Sequence, residues 1–300
     1  MTNKLFLIFF FVPFLCLGQQ VNTANENFRI DEIVFNEDFM KLNGIKSIKA
    51  TNTTKSDGEP LKMGKEYYFW QFDTEGRVIG ESKTLVNVKT NMVDTLHFIM
   101  RYNRNQRLTY RTERVGKRIK SFHYKYNSDG ELLQTDMKER WNFSQRPDFI
   151  NSVDSFSYQT ITDTSYIKLT YNGDGASYRE QLYVCDTENR IVERNGRYLR
   201  GDIRTKMVFD YDLKGNLKEK VIYYDIHNDL SEKYKLFYDS LGNISKLKSY
   251  KNNENKKIID YIYFEDSILL KAIINQDVSS HDLNILKFEY EYFIPESLTR

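Results

Sequence analysis

The stretch Lys235–Leu247, "KLFYDSLGNISKL", reads as two short strands around a tight turn. The same grammar stands in "KMVFDYDLKGNLKEKV" from Lys206 and in "YFWQFDTEGRVIGES" from Tyr68: aromatic, Asp, two free positions, Gly, one position, aliphatic. Anchored on the Asp or its substitute, copies fall at Asp73, Asn103, Asn127, Asp186, Asp212, Asp239 and Glu265. The position before each anchor holds Phe72, Tyr102, Tyr126, Cys185, Tyr211, Tyr238 and Phe264, and the third before it runs from Trp70 to Ile262. Five after the anchors stand Val78, Leu108, Leu132, Ile191, Leu217, Ile244 and Leu270. All three columns are apolar or aromatic in every copy.

The spacing has a physical reading. Positions −3 and −1 lie two apart, so on a strand they share a face. Asp or Asn opens a turn because its side chain accepts from backbone amides just ahead. Gly at +3 (Gly76, Gly130, Gly215, Gly242), or Asn189, supplies the left-handed conformation that closes such a hairpin. Asn105, one place early, and Ile268 make the second and last turns degenerate on this reading. Anchor spacings are 30, 24, 59, 26, 27 and 26 residues. The long gap implies a degenerate copy or insertion around 140–175, where "TYNGDG" is not counted because Ser177 occupies +5.

The fold expected is all-β: tandem antiparallel hairpins forming an extended, twisted or coiled sheet, with one short N-terminal helix. "LNILKFEYEYF" (Leu283–Phe293) alternates like a strand with one packed face. The helix is placed near 36–42, with Asn36 as N-cap, Glu37 and Asp38 in the first turn, and Gly44 past the end. Residues 19–64 read as leader and capping unit and 65–300 as the repeat domain. The segment around 28–60 and the charged C-terminal strand are expected to cap the open edges. A closed outer-membrane barrel is the rival; it lacks a terminal aromatic, and charges would enter its lipid-facing band at about 2–4 kcal/mol each.

Residues 1–18 read as a secretory signal. Lys4 precedes a 13-residue apolar run, Leu5–Leu17, too short to span a bilayer. Cleavage after Gly18 leaves Gln19 first; lipidation at Cys16 is the alternative. No later segment is apolar enough for a transmembrane helix. The remaining chain carries 43 basic against 42 acidic residues, with no basic stripe, so no nucleic-acid partner is expected. Cys185 stands alone and reads as a small buried apolar group. The 22 Tyr and 20 Phe against 4 Pro favour strands and turns.

"FDYDLKGNL", "LFYDSLGNI" and "YKYNSDGEL" resemble the YD repeat of Rhs-type bacterial proteins. The resemblance covers roughly residues 65–270 and implies a long, coiled antiparallel sheet, in that family sometimes a shell around a toxin.

No catalytic, cofactor-binding or metal-ligating residue is assigned, and no cofactor is expected. His97, His123, His227 and His281 lie far apart without a zinc-ligand spacing. Asp210 and Asp212 share a face, but Asp212 is a turn anchor. Tyr223, Tyr224, Tyr250 and Tyr263 are candidates for an aromatic platform. The function expected is an exported, non-enzymatic binding or scaffold module of the bacterial cell envelope, its partner a glycan or an envelope protein. The alternatives are a polysaccharide-acting envelope enzyme and a small relative of toxin-delivery shells.

Overall fold

The computed structural model describes residues 20–23, 32–86, 93–141, 150–201, 203–225, 230–265 and 267–294. The expected signal segment, with Cys16 and Gly18, and also His227 lie outside the described residues.

Among the described residues one helix and 18 strands follow one another: α1 (Glu37–Leu42), β1 (Ile45–Lys55), β2 (Lys62–Phe72), β3 (Val78–Val86), β4 (Val93–Tyr102), β5 (Leu108–Val115) and β6 (Arg118–Tyr126). Then come β7 (Leu132–Trp141), β8 (Ile150–Thr162), β9 (Ser165–Tyr171), β10 (Ser177–Cys185), β11 (Ile191–Tyr198) and β12 (Arg204–Tyr211). The last are β13 (Leu217–Asp225), β14 (Leu230–Tyr238), β15 (Ile244–Lys251), β16 (Glu254–Tyr263), β17 (Leu270–Asp277) and β18 (Leu283–Tyr292). Each strand pairs antiparallel with its neighbours in sequence, and β1 pairs with β18.

The sheet is therefore a closed 18-stranded up-and-down barrel, which corrects the expected open, extended or coiled sheet. The two segments expected as caps find each other. Lys49 lies opposite Glu289, Ala50 opposite Phe288 and Ile48 opposite Tyr290. Two alternating strands, each with one apolar face and a free edge, satisfy both edges by pairing; closure alone removes edges altogether.

The repeated turns form as the side chains require. Asp239 accepts from the amides of Leu241 (2.9 Å) and Asn243 (2.8 Å), and the Gly242 amide bonds back to its carbonyl (3.1 Å). The second copy is regular, because Gln106 takes the left-handed conformation (φ 61°) at +3. Asn172, uncounted in the sequence, builds the same turn around Gly175. It sits at the opposite rim, between β9 and β10, and Ser177 merely starts a strand. The last turn begins one residue early, at Phe264. That slip turns Ile262 and Phe264 outward and Tyr261 and Tyr263 inward.

Most of the turns on one rim, called here the turn rim, carry a bulge. Phe72 pairs with Val78 while Gln71 pairs with Gly80, leaving Ile79 extra. The bulge ends pairing with the following strand early, so the Val78 carbonyl lies beyond the last β3–β4 pair. The Tyr102 hydroxyl donates to it at 2.9 Å. The same device recurs from Tyr126 to Leu108, Tyr158 to Leu132, Tyr211 to Ile191, Tyr238 to Leu217, Tyr263 to Ile244 and Tyr290 to Leu270, at 2.6–3.2 Å. The −1 column is thus core and hydrogen-bond donor at once, which is why Tyr outnumbers Phe there.

This ladder makes the protein alkali-sensitive. Burial first, with smaller contributions from nearby charges, pushes the phenol pKa of Tyr102 and Tyr238 up to about 12, and those of Tyr263 and Tyr290 are also raised. The folded state holds these protons more tightly than the unfolded chain. The stability they confer is complete below about pH 10 and is lost as pH rises toward 12. At about 1.4 kcal/mol per pH unit, Tyr102 and Tyr238 each carry roughly 2–3 kcal/mol of this dependence. Tyr238→Phe should cost about 1–2 kcal/mol at pH 8, with the gap to wild type narrowing above pH 10. Phenolate absorbance and circular dichroism followed together are the check: titration of all 22 tyrosines near pH 10 without loss of strand signal would contradict the ladder.

The large buried apolar side chains lie on the inner face of the wall, and ion pairs run along the outer face. Inward residues include Trp70, Phe98, Phe209, Leu236, Leu247, Ile259 and Phe288, all buried. Outside run cross-strand ion pairs: Lys235–Glu219 (3.7 Å), Lys246–Asp260 (3.2 Å), Lys218–Asp210 (3.3 Å) and Lys46–Glu291 (2.7 Å). Each contributes only tenths of a kcal/mol to about 1 kcal/mol.

The N-terminal segment fills the barrel at the turn rim. Gln20, Val21, Phe39 and Met40 are fully or nearly fully buried. The Gln20 side chain accepts from the Leu270 amide (2.7 Å) and donates to the Tyr290 hydroxyl (2.9 Å). Thr23 bonds the Tyr238 hydroxyl (3.1 Å). The helix lies where the sequence places it, capped by Asn36 and ending before Gly44.

Candidate functional site

Between the N-terminal segment and the inner wall lies a cavity of about 470 Å³. Its floor is Val21, Ile33, Val34 and Phe35. Its walls are Tyr68 and Trp70 on β2, Val78, Glu81 and Lys83 on β3, Phe98, Met100 and Tyr102 on β4, and Arg111 on β5. Across from them stand Ile259 and Tyr261 on β16, Ile273 and Asn275 on β17, and Asn284 and Leu286 on β18.

The cavity is built by packing the segment against aromatic strands. Phe35 meets Trp70 edge-on at 5.1 Å and Phe72 at 5.4 Å, and Tyr68 stacks on Trp70 at 5.7 Å. The charged groups enter through the bulge. Gly80 would alternate inward after Val78, but the extra residue moves Glu81 to the inner face, opposite Phe98. Arg111 arrives in the same way after the bulge that opens β5.

Burial pushes the Glu81 carboxyl up, and the positive charges of Lys83 and Arg111 only partly offset it. The Glu81 carboxyl makes no hydrogen bond among the described residues. The Arg111 guanidinium lies 4.7 Å from the Phe98 ring centre and gives one nitrogen to Glu113 at 2.8 Å. The Lys83 ammonium lies 5.8 Å from the Phe98 ring centre, with no hydrogen bond or ion pair among the described residues.

The sequence did not bring these residues forward, because period-2 alternation from Val78 points to Gly80. A charged residue at +8 of a bulged copy is the signal that would have found them. Of the platform candidates, Tyr263 faces inward as a rung of the ladder, whereas Tyr223 and Tyr250 face outward; they form no common surface. His97 and His123 are exposed on the outer face; His97 bonds Ser82, and His123 packs on Tyr110. His281 sits in a turn with φ 58°. Asp210 pairs with Lys218, and Asp212 holds its turn. Cys185 is buried, and burial raises its thiol pKa, so it stays protonated near neutrality. Among the described residues no cluster of three metal-ligating groups occurs, and no helix is long and apolar enough to cross a membrane.

No protein-family model matches the chain, the YD repeat included, and no curated protein does. Among solved structures it is similar to a porin-like protein from Bacteroides uniformis, at 10% identity and a TM-score of 0.39, covering 82% of this chain and 98% of that one. It is also similar to a chain of the Tc holotoxin pore of Photorhabdus luminescens, at 11% identity and a TM-score of 0.20, with 73% of this chain and 14% of that one covered. A LolA superfamily protein from Nitrosomonas europaea is similar at 11% identity and a TM-score of 0.17, with 87% and 94% covered. At these identities and scores the likenesses carry no inference about function.

Proposed function

We propose that the chain is an exported, non-enzymatic binding protein of the cell envelope that holds its ligand inside the barrel. The apolar Leu5–Leu17 run supports export. The observation that carries the binding reading is the interior cavity, where an apolar floor meets inward charges that the fold leaves incompletely paired. Its volume is in the range of small-ligand sites, roughly 300–1,000 Å³.

Trp70 reports directly on this cavity, and the chain's other tryptophan, Trp141, is half exposed and removable. In a Trp141→Phe background, envelope oligosaccharides and short-chain amphiphiles should be titrated against Trp70 emission. A saturable change with one class, lost in Phe98→Ala, is the expected result; no response to either class overturns the reading.

A second reading, an enzyme acting on envelope polysaccharide, is favoured by one observation: the half-buried Glu81 carboxyl, its pKa raised by burial, shares the cavity with Glu32 and Glu37. It requires new reducing ends in the oligosaccharide titration, abolished by Glu81→Gln.

A further inference from the structure

We infer that the occupant of this cavity is a single-chain amphiphile with an anionic head, its tail against the N-terminal segment and its head at Lys83 and Arg111. The inference rests on the binding reading above and adds the ligand class.

The cavity has a direction. At its turn-rim end the lining is Val21, Phe35, Val78 and Met100, shapes suited to a flexible alkyl chain. On the adjoining wall the pairing register places Arg111 directly opposite Met100, Glu81 opposite Phe98 farther from that rim, and Lys83 opposite Leu96 farther still. Stacking a flat sugar is poorly served here, because the Trp70 ring is already faced by Tyr68 and edged by Phe35 and is only 4% exposed. Aliphatic burial is well served, at about 0.8 kcal/mol per methylene.

The head group follows from the charges. Lys83 is a half-buried ammonium on the inner wall with no ion-pair partner among the described residues. Arg111 keeps further donors beyond those engaged by Glu113 and the Tyr124 hydroxyl. Glu81, two residues away on the same wall, feels the Lys83 charge but makes no ion pair with it, so the ammonium is left incompletely compensated and an added anion completes it. A carboxylate or a phosphate monoester satisfies both bases, through the fork of Arg111 and the point charge of Lys83.

The test uses the full chain and four probes below their micelle thresholds: tetradecanoate, tetradecyl phosphate, tetradecanol and tetradecyltrimethylammonium, with Trp70 emission as readout. An anionic probe should bind at least tenfold more tightly than the alcohol, and the cationic probe more weakly than either. Which anion binds tighter separates a carboxylate from a phosphate source. Lys83→Ala should erase the preference for the anion while leaving alcohol binding and the strand signal in place, and Lys83→Arg should restore it. Equal affinity for acid and alcohol, or an unchanged preference in Lys83→Ala, overturns the assignment. If oligosaccharides alone perturb Trp70, the amphiphile is wrong and the cavity reading stands; if no probe does, both fall.

Discussion

Gly76→Ala should destabilise the protein by at least about 3 kcal/mol, whereas Gly242→Ala, the same change in the same turn five copies on, should cost about 1 kcal/mol. Both glycines hold a left-handed backbone, with φ 79° and 90°, so both pay the ordinary strain of a side chain there. They differ in what lies beyond. Nothing approaches within 4 Å of a Cβ at Gly242. At Gly76 a Cβ would collide with the Glu37 carbonyl oxygen and stand 2.7 Å from the Lys41 amide nitrogen. These are backbone atoms of α1 that cannot rotate aside, so the helix must lift. With it go the burial of Phe39 and Met40, both fully enclosed, each worth about 1.5–3 kcal/mol, and the 2.7 Å Lys41–Glu75 ion pair. Phe35 precedes the helix, so Trp70 loses its edge contact and its emission should shift to the red. Urea unfolding of the two variants side by side gives the comparison, and equal midpoints would mean that α1 does not dock on this turn.

What the sequence makes legible here is whatever is settled within a few residues. An Asx turn is closed by bonds from one side chain to amides two and four positions ahead, so Asp73, Asp186, Asp212 and Asp239 announce themselves. The helix is equally local, fixed by Asn36 and Gly44. Three features are settled elsewhere. Closure depends on where the first and last of 18 strands arrive, and the alternation of β18 is the same whether its edge meets water or β1. The bulge is one extra residue whose effect on facing is felt beyond it, so Glu81 and Arg111 read as outward when they line the cavity. The tyrosine ladder joins residues about 20 apart, and a column of Tyr looks like a column of core until the orphaned carbonyls are seen. The cavity itself exists only because residues 20–23 and 32–42 enter the barrel, a segment that the sequence suggests to be a leader and cap.

Closure is also the feature with the largest stability consequence. Thr51 on β1 and Lys287 on β18 are direct partners across the seam and face outward, because their neighbours Ala50 and Phe288 face in. Directly opposed residues in an antiparallel pair place their Cα atoms about 4.5–5.5 Å apart, within the span of a disulfide. Thr51→Cys/Lys287→Cys, in a Cys16→Ser background, should therefore oxidise within one chain under mild conditions. The buried, protonated Cys185 thiol offers little competition. The bond would close a loop on the order of 240 residues, for which the chain-entropy model gives about 5 kcal/mol, an upper limit when the site is strain-free. The expected outcome is a compact, faster-migrating band on non-reducing gels and a urea midpoint that falls back on reduction. In an open or coiled sheet the two ends stand many strands apart, so the same variant would remain reduced or link into dimers. A dimer ladder, or oxidation without any gain in stability, would refute the seam between β1 and β18 and with it the enclosed cavity on which the ligand assignment depends.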